Sequence, residues 1–403
     1  MRIAVAQLDP VVGDFEGNLL KIREAYERAC QEQARLLLTP ELSACGYPPY
    51  DLIERPEMVE RTQAALVKLA QLTAGKKTAL AVGHVGTNTA KTGRPHTNRV
   101  SVLDGGRVVH SQDKTLLPTY DVFDEARYFE PATECKPLEL DGKRIGVGIC
   151  EDLWADDLVF GRRLYERTPV NQYAGQKLDV LVSLSASPYE YGKRERREKV
   201  HAELARRLAV PIVYVNQACA NDELLFDGAS FALGRDGSVF GRLAFFKTGF
   251  MVVDVSKSTA EGERPPGVPE EIEILADGLV TGIRDYFKRS GARSAILGVS
   301  GGIDSAVVAC LAARALGREN VLGVAMPSQN SSSHSLADAE ALAARLGIRF
   351  EVRPIKFLYS TASRELGERR NPLAPVAQEN LQARLRGLVL MTYSNHDGSL
   401  VLG

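Results

Sequence analysis

The sequence predicts an α/β protein of two domains, the second of which is built on a doubly wound parallel sheet. The chain has 403 residues, which is long for one domain, and a polar, proline-rich stretch, SKSTAEGERPPGVPEE, occupies residues 256–271. Strand-like and helical patterns alternate on both sides of this stretch, and after it the alternation is strict. We therefore predict domains at 1–255 and 271–403, joined by a linker at 256–270.

Composition excludes several classes of partner. Hydrophobic residues make up 44% and charged residues 25%, and 50 basic against 51 acidic residues give a net charge of −1, so nothing favours nucleic acid or an anionic membrane. No apolar run reaches membrane-spanning length, and the first residues lack a signal-peptide core. Six cysteines without paired spacing are typical of reduced thiols, and no CxxC pair or histidine cluster indicates a structural metal. We expect a cytoplasmic protein.

The first half mixes short apolar runs with helical patterns. The strand-like runs are RIAVAQL, TALAVGHV, RVSVLDGGRVVHS, RIGVGIC, DVLVSLSAS, PIVYVNQA and GFMVVDV, and the helical ones are NLLKIREAYERACQEQA and RREKVHAELARRLA. LDGGRVV and GRDGSVFG are typical of hairpin turns. The pattern favours a layered α/β domain and is compatible with two sheets.

After the proline-rich stretch the order of elements is regular. EIEILADGLVTGIRDYFKRSG predicts a helix, and three strands, SAILGVS, VLGVAMPS and RFEVRPI, are separated by the helices DSAVVACLAARALG and SLADAEALAARLG. Two successive βαβ units predict a parallel, doubly wound sheet.

A cysteine at the end of one strand is the first candidate for chemistry. Ile145, Val147 and Ile149 alternate up to Cys150, so the thiol follows a buried strand on a rigid support. The acids that follow it in GVGICEDLW would raise the pKa of the thiol, and a nucleophilic Cys150 therefore needs another group to activate it. Taken alone, a free cysteine is usually a small buried hydrophobe.

Two further stretches give this cysteine a context. LLLTPELSACGYPPYD leads an apolar strand into Glu41, and SQDKTLLPTYDVFDEARYFEP carries Lys114 before a turn-rich aromatic segment. Each alone is most simply a capping or surface charge. Together and in this order, the contexts of Glu41, Lys114 and Cys150 resemble the nitrilase superfamily of carbon–nitrogen hydrolases over about residues 1–255. The resemblance implies an αββα sandwich.

The resemblance also implies a mechanism. Glu41 would take the thiol proton and later activate water, and the product of the first step would be a thioester. Lys114 would offset the neighbouring acids, favour the thiolate, and stabilise the oxyanion of the tetrahedral intermediate.

Glutamine-using members of the superfamily indicate where the substrate would bind. The matching positions here are Tyr120, Ser187 and Lys193. Lys193 would hold the α-carboxylate, and Glu125 would bind near the amine or position Lys114. The charge run KRERREK leaves Lys193 equally compatible with a solvated helix face.

The second half contains a glycine-rich turn between a strand and a helix, in AILGVSGGIDSAVVACLAARALG. Such a turn lets backbone amides approach a phosphate at the helix N-terminus. The motif SGGxDS resembles the pyrophosphate-binding loop of the Rossmann-like ATP pyrophosphatases, which implies ATP binding by Gly298, Val299, Ser300, Gly301, Gly302, Ile303, Asp304 and Ser305. Asp304 is a candidate Mg²⁺ ligand, or only a charge that complements the helix dipole.

Two more stretches narrow the resemblance. MPSQNSSSHSLADAEALAARLGI and QENLQARLRGLVLMTYSN resemble the synthetase domain of NAD synthetases, and with the first half they make the whole chain similar to the glutamine-dependent NAD synthetase family. That family implies homo-oligomers that amidate deamido-NAD with ATP and with ammonia released from glutamine. The ammonia travels through a channel, which protects it from protonation. Asn380 would lie near deamido-NAD, with Arg384 as a weaker candidate on the same helical face.

The sequence departs from the family pattern at two places, and two alternative functions remain open. Asn330 stands where the family usually has tyrosine, and the chain ends at LVLG where family members continue, so we expect a synthetase domain that is incomplete at its C-terminal end. The first alternative is a stand-alone amidase or glutaminase with an inactive second half. The second is a non-catalytic assembly protein.

Overall fold

A computed structural model describes residues 1–154, 165–166, 168–262, 267–329, 332–367 and 373–403. These residues divide into two compact units, Met1–Leu275 and Ala276–Gly403. Asn330 lies outside the described residues, as do residues 263–266 of the predicted linker. Among the helices that the structure does describe, none is both long enough and apolar enough to cross a membrane.

The first unit is rich in short strands. They are β1 (Arg2–Gln7), β2 (Leu36–Leu38), β3 (Ala79–Thr87), β4 (His96–Asp104), β5 (Arg107–Asp113), β6 (Leu138–Leu140), β7 (Lys143–Ile149), β8 (Val180–Ser185), β9 (Ile212–Asn216), β10 (Ala218–Asn221), β11 (Leu224–Asp227), β12 (Phe231–Leu233), β13 (Val239–Arg242), β14 (Gly249–Asp254) and β15 (Thr259–Gly262). Its helices are α1 (Phe15–Gln31), α2 (Pro56–Leu72), α3 (Glu125–Tyr128), α4 (Pro169–Tyr173) and α5 (Lys193–Leu208). Single 3₁₀ turns cover Tyr50–Glu54 and Cys150–Leu153.

Two sheets form the centre of this unit. One has the order β15-β14-β1-β2-β3-β4-β5 and the other β13-β12-β9-β8-β7-β6. Their facing sides share one apolar core, to which Val5 and Leu38 contribute from the first sheet and Val147 and Val182 from the second. Helices α1 and α2 cover the outer face of the first sheet, and α4 and α5 cover that of the second. The predicted αββα sandwich is confirmed.

Several local features follow from the sequence. The Asp14 carboxylate accepts a hydrogen bond from the Gly17 N–H at 3.0 Å and so caps α1, while Pro56 opens α2 at a position that needs no N–H donor. The turn in LDGGRVV joins β4 to β5, as predicted. The hairpin β10–β11 was not predicted, and β15 lies inside the stretch that the sequence indicated as a linker.

The second unit is a parallel α/β structure. Helix α6 (Glu271–Ser290) leads into it, and the strands β16 (Ala295–Gly298), β17 (Val321–Ala325), β18 (Arg349–Val352) and β19 (Leu400–Leu402) alternate with α7 (Ile303–Leu316), α8 (Ser333–Leu346), α9 (Lys356–Leu366) and α10 (Pro375–Asp397). The sheet order is β18-β17-β16-β19, and each neighbouring pair is parallel.

Helices cover both faces of this sheet. Residues of α7 and α8 pack on one face through Ala309, Ala312 and Ala339, and α10 packs on the other through Leu390. The predicted doubly wound arrangement is confirmed. The strand order reverses between β16 and β19, and the carboxyl ends of strands at such a point are where α/β sheets bind ligands.

The core between the two sheets of the first unit can be tested by truncation. Leu38 is fully buried there, so Leu38→Ala is expected to lower the free energy of unfolding by about 2–5 kcal/mol, measured by urea denaturation. Leu20→Ala on α1 makes the same chemical change at a side chain that is 45% exposed, and its effect is expected within about 0.5 kcal/mol. Equal effects of the two substitutions would contradict the described packing.

Candidate functional site

The first candidate site is assembled from turns that follow strands of both sheets. Glu41 lies just beyond β2, Lys114 directly follows β5, and Cys150 directly follows β7. A glycine in the neighbouring strand lets the Glu41 turn approach the sheet, because a Cβ atom on Gly83 would lie 2.3 Å from the Leu42 nitrogen. The three side chains are 0%, 1% and 4% exposed, respectively.

Lys114 is the centre of a buried hydrogen-bonded network. Its ammonium donates to Glu41 Oε1 and to Glu125 Oε1, both at 2.7 Å. Asn98 Nδ2 donates to Glu41 Oε1 at 2.7 Å, the Ala186 N–H donates to Glu41 Oε2 at 3.0 Å, and the Tyr47 hydroxyl donates to Glu125 Oε1 at 2.8 Å. The Glu41 carboxylate is therefore held by donors on both of its oxygens.

Burial and charge shift the pKa values of this network. Burial raises the pKa of Glu125 to about 7, and the charge of Lys114 opposes that rise. Burial alone lowers the pKa of Lys114, but the charges of Glu125 and Glu41 outweigh it and raise that pKa well above its ordinary value. The two carboxylates therefore favour the charged form of Lys114.

The Cys150 thiol is neutral in the resting site. Burial, and then the charge of Glu41, raise its pKa well above the ordinary value, while Lys114 acts in the opposite direction without prevailing. Lys114 therefore acts in the expected direction, towards the thiolate, but desolvation penalises the charged form more. Cys150 also has a positive φ of 44°, a backbone conformation that is uncommon for non-glycine residues and recurs at functional sites.

The two acids that follow Cys150 are engaged elsewhere. Glu151 Oε1 accepts hydrogen bonds from the hydroxyls of Tyr120 at 3.0 Å and Tyr165 at 2.8 Å. Asp152 Oδ1 accepts from the Thr115 and Leu116 N–H groups. Although the two carboxylates follow the cysteine in sequence, their oxygens bind groups of other segments, namely the tyrosine hydroxyls and the backbone at residues 115–116.

The residues predicted to bind glutamine lie around this network. Tyr120 is 50% exposed, and its hydroxyl donates to Glu151, the residue after Cys150, at 3.0 Å. Ser187 is buried, one residue beyond Ala186, which donates to Glu41. The Lys193 ammonium donates to the Pro188 carbonyl at 3.0 Å, and burial lowers its pKa, which favours the binding role over that of a solvated lysine.

The second candidate site is the turn between β16 and α7. The Ser300 hydroxyl accepts from the Gly302 N–H at 3.2 Å, and the Ser305 hydroxyl accepts from the Ser300 N–H at 3.2 Å and donates to the Gly302 carbonyl at 3.0 Å. Gly301 has φ of +81°, and a Cβ atom there would lie 2.3 Å from the Ser335 carbonyl oxygen. The turn presents the N-terminus of α7, which favours an anion.

A cavity of about 740 Å³ adjoins this turn at the strand ends. Its lining comprises Gly298, Val299, Ser300, Val324, Ala325, Met326, Pro327, Ser332, Ser335, Leu336, Ala383, Arg386, Gly387, Leu390, Val401, Leu402 and Gly403. Arg386 Nε donates to the Met326 carbonyl at 3.2 Å. The cavity lies at the position where the sheet order reverses, as expected for a ligand site in this architecture.

The remaining residues predicted for the second site are exposed and do not line the cavity. Asp304 is exposed in the first turn of α7. Asn380 and Arg384 are exposed on α10, whereas the cavity is lined from that helix by Ala383 and Arg386 among others. The assignment of Asn380 to deamido-NAD stays a prediction, and Arg386 is the α10 arginine that the structure places at the cavity.

Known proteins resemble both units and the chain as a whole. The carbon–nitrogen hydrolase family matches residues 2–264, and the NAD synthase family matches residues 275–403. The glutamine-dependent NAD(+) synthetase of Synechocystis sp. is 41% identical over 411 residues, which cover 99% of this chain and 73% of that protein. This chain belongs to the glutamine-dependent NAD(+) synthetase family.

Solved structures agree with this membership. A glutamine-dependent NAD⁺ synthetase from Acinetobacter baumannii, in complex with ADP, has a TM-score of 0.90 and 34% identity over 99% of this chain and 73% of its own. An amidase from Nesterenkonia sp. covers 63% of this chain and 89% of its own, with a TM-score of 0.55 and 24% identity, which is a likeness of fold.

Sequence reasoning missed several residues of this NAD(+) synthetase family member. Tyr47, Asn98 and Asn216 contact candidate site residues through hydrogen bonds across 29 to 78 positions of the chain. Tyr47 lies in the quoted stretch LLLTPELSACGYPPYD, but a single carboxamide or hydroxyl in a sequence carries no sign of its partner. Arg386 had a signal, since it stands in QENLQARLRGLVLMTYSN, one of the stretches that resemble the NAD synthetases.

The protonation state of Cys150 can be tested by alkylation. We expect iodoacetamide to modify Cys150 slowly near neutral pH, at a rate that rises with pH beyond the ordinary thiol range, because burial keeps the thiol neutral. Lys114→Met is expected to slow the reaction further, since the Lys114 charge lowers the thiol pKa. Peptide-resolved mass spectrometry measures the rate, and the half-buried Cys30 and Cys310 serve as internal comparators. A fast, pH-independent reaction would contradict the neutral thiol.

The glycine-rich turn can be tested by adding one methyl group. Gly301→Ala is expected to lower the midpoint of thermal unfolding because it combines a left-handed backbone, costing about 1–2 kcal/mol, with overlap against Ser335. Gly291→Ala is the matched control: its φ is +75°, but a Cβ atom there would have nothing within 4 Å. A decrease no larger than that of the control would mean that the Ser335 contact does not constrain the turn.

Proposed function

We propose that this protein makes NAD by ATP-dependent amidation of deamido-NAD, with ammonia released from glutamine at Cys150. The observation that carries the proposal is the buried contact of Lys114 with Glu41 beside the Cys150 thiol, in a chain whose second unit has the SGGxDS turn at the sheet's reversal point. A thiol, a carboxylate base and a fixed cation are the groups that hydrolysis of a carboxamide needs.

The first reaction begins with a neutral thiol. Glu41 takes the proton of Cys150 as the sulfur attacks the carboxamide carbon of glutamine, and Lys114 stabilises the negative charge that develops on the carbonyl oxygen. Glu41 then returns the proton to the leaving nitrogen, so ammonia departs and a γ-glutamyl thioester remains. Water, deprotonated by Glu41, attacks the thioester and releases glutamate and the thiol.

The polar groups around the thiol would bind the substrate. Lys193 would attract the α-carboxylate of glutamine, with Tyr120 and Ser187 nearby. The contact of Glu125 with Lys114 at 2.7 Å supports a role in positioning the lysine between the two carboxylates.

The second reaction would use the turn at residues 298–305. The N-terminus of α7 and the glycine-rich backbone suit the phosphates of ATP, and the adjoining cavity is of a size that suits a nucleotide. The carboxylate of deamido-NAD would attack the α-phosphorus, pyrophosphate would leave, and ammonia would displace AMP from the acyl adenylate.

Asp304 supplies one carboxylate next to this turn. Groups of three or more His, Cys, Asp and Glu that could hold a metal are absent from the described parts of the chain. Mg²⁺ in nucleotide sites is typically held by one or two carboxylates together with substrate phosphates, so the residues present suit an ion that enters with ATP. Family membership supports a homo-oligomeric enzyme of the cytoplasm.

The two sites are separable by mutation. Cys150→Ala is expected to abolish glutamate release and glutamine-dependent NAD formation while ammonia-dependent formation persists, and Asp304→Ala is expected to remove ATP turnover while glutamate release persists. The assay supplies deamido-NAD and ATP with glutamine or ammonia in parallel, with Cys30→Ala as the control. Glutamate release by Cys150→Ala would disprove the assignment of the nucleophile. Glutamate release without NAD from either donor, in the unsubstituted chain, would favour a stand-alone glutaminase.

A further inference from the structure

A short segment after β8 connects the catalytic base to the residues proposed to hold glutamine. The Ala186 N–H donates to Glu41 Oε2 at 3.0 Å, and the Pro188 carbonyl accepts from the Lys193 ammonium at 3.0 Å. Ser187, a proposed glutamine contact, lies between these two residues. We call residues 186–188 the substrate segment. Its position determines the geometry of Glu41, Ser187 and Lys193 together.

A buried carboxamide holds the middle of the substrate segment. Asn216 is fully buried at the end of β9, the parallel neighbour of β8. Its Oδ1 accepts a hydrogen bond from the Ser187 N–H at 2.8 Å. Its Nδ2 is the donor in three further contacts, with the Ser187 carbonyl at 3.3 Å, Asp227 Oδ1 at 3.1 Å and the Gly228 carbonyl at 3.2 Å. A carboxamide can satisfy a backbone donor and a backbone acceptor at once, which a carboxylate or a hydroxyl cannot do with the same reach.

The same carboxamide is tied to the helix that carries Lys193. Asp227 accepts two hydrogen bonds from the Arg197 guanidinium, both at 3.0 Å, and both side chains are 1% exposed. Arg197 lies one helical turn after Lys193 on α5. A buried bidentate pair of this kind fixes its partners in one geometry. Asn216 therefore bonds to Asp227, which the Arg197 guanidinium holds in place, and also to Ser187 in the substrate segment.

We propose that Asn216 is a positioning residue for glutamine hydrolysis, which fixes Ser187 and the Ala186 N–H relative to Glu41 by bonding both backbone groups of Ser187. The inference rests on the proposed hydrolysis of glutamine at Cys150. Without the carboxamide, a buried N–H and a buried carbonyl would lose their partners and the segment would move to satisfy them. Small displacements at a reacting centre have large effects on rate and binding.

The test uses the full chain and compares two buried asparagines. Asn216→Ala is expected to raise the KM for glutamine in glutamate release about tenfold, the effect of losing one buried hydrogen-bonded contact. The kcat is expected to change less, since Glu41 retains its contacts with Lys114 and Asn98.

Asn18→Ala is the matched control. The Asn18 side chain is 1% exposed, and it accepts from the Val11 N–H and donates to the Val11 carbonyl, both at 2.8 Å. It therefore bonds both backbone groups of Val11, whose described hydrogen bonds go to Asn18 and Asp14 and not to the residues of the proposed chemistry. The two variants are expected to lose similar thermal stability, while the KM of Asn18→Ala stays within about twofold of the unsubstituted chain.

A second substitution covers the case in which Asn216→Ala does not fold. Asn216→Ser keeps a small polar side chain and places no charge beside Asp227, but it is too short to bond both backbone groups of Ser187, so a higher KM for glutamine is again expected. An unchanged KM in a folded Asn216 variant, or a change no larger than that of Asn18→Ala, would overturn the positioning role. Absence of glutamate release from the unsubstituted chain would instead overturn the proposed glutaminase, and this inference with it.

Discussion

The ammonium group of Lys114, buried between the carboxylates of Glu41 and Glu125, is the interaction on which the first site depends. It donates to both at 2.7 Å, in a place where an unpaired charge of either sign would be strongly disfavoured. The two carboxylates raise the pKa of the lysine well above its ordinary value and so favour its charged form. The turns after β2 and β5 and the helix α3 must therefore meet at one point, and the αββα sandwich brings them there.

This network explains why a neutral cysteine is suitable. A thiolate next to two carboxylates in a buried site would be unstable, and burial indeed raises the pKa of Cys150. The proton is best removed when the sulfur attacks, because the negative charge then moves to an oxygen near Lys114. A site of this kind keeps a reactive thiolate from forming in the absence of substrate. Asn216 and the substrate segment add a second constraint, because they hold the backbone next to Glu41 and the side of the site where we propose that glutamine binds.

The candidate site of the second unit is formed mainly by backbone groups. Its site consists of a backbone turn at the reversal point of a parallel sheet, where the geometry of Gly301 and the N-terminus of α7 replace a cluster of charged side chains. Such a site depends mainly on local sequence, which is why the SGGxDS motif indicates it directly. The first site depends on groups from both sheets, so its motifs become informative only when they occur together.

The sequence by itself determined the doubly wound class and the hairpin in LDGGRVV, because hydrophobic periodicity and turn residues are local properties of the chain. The αββα class followed from a family resemblance that the short motifs around Glu41, Lys114 and Cys150 carry. It did not determine the hairpin β10–β11. Nor did it determine the hydrogen bond between Tyr47 and Glu125 or those between Asn216 and the backbone of Ser187, which join residues far apart in the chain. The neutral state of Cys150 was also decided only by the tertiary structure. Burial is a property of the packed molecule, and at this thiol its cost outweighs the lysine charge that the motif led us to expect.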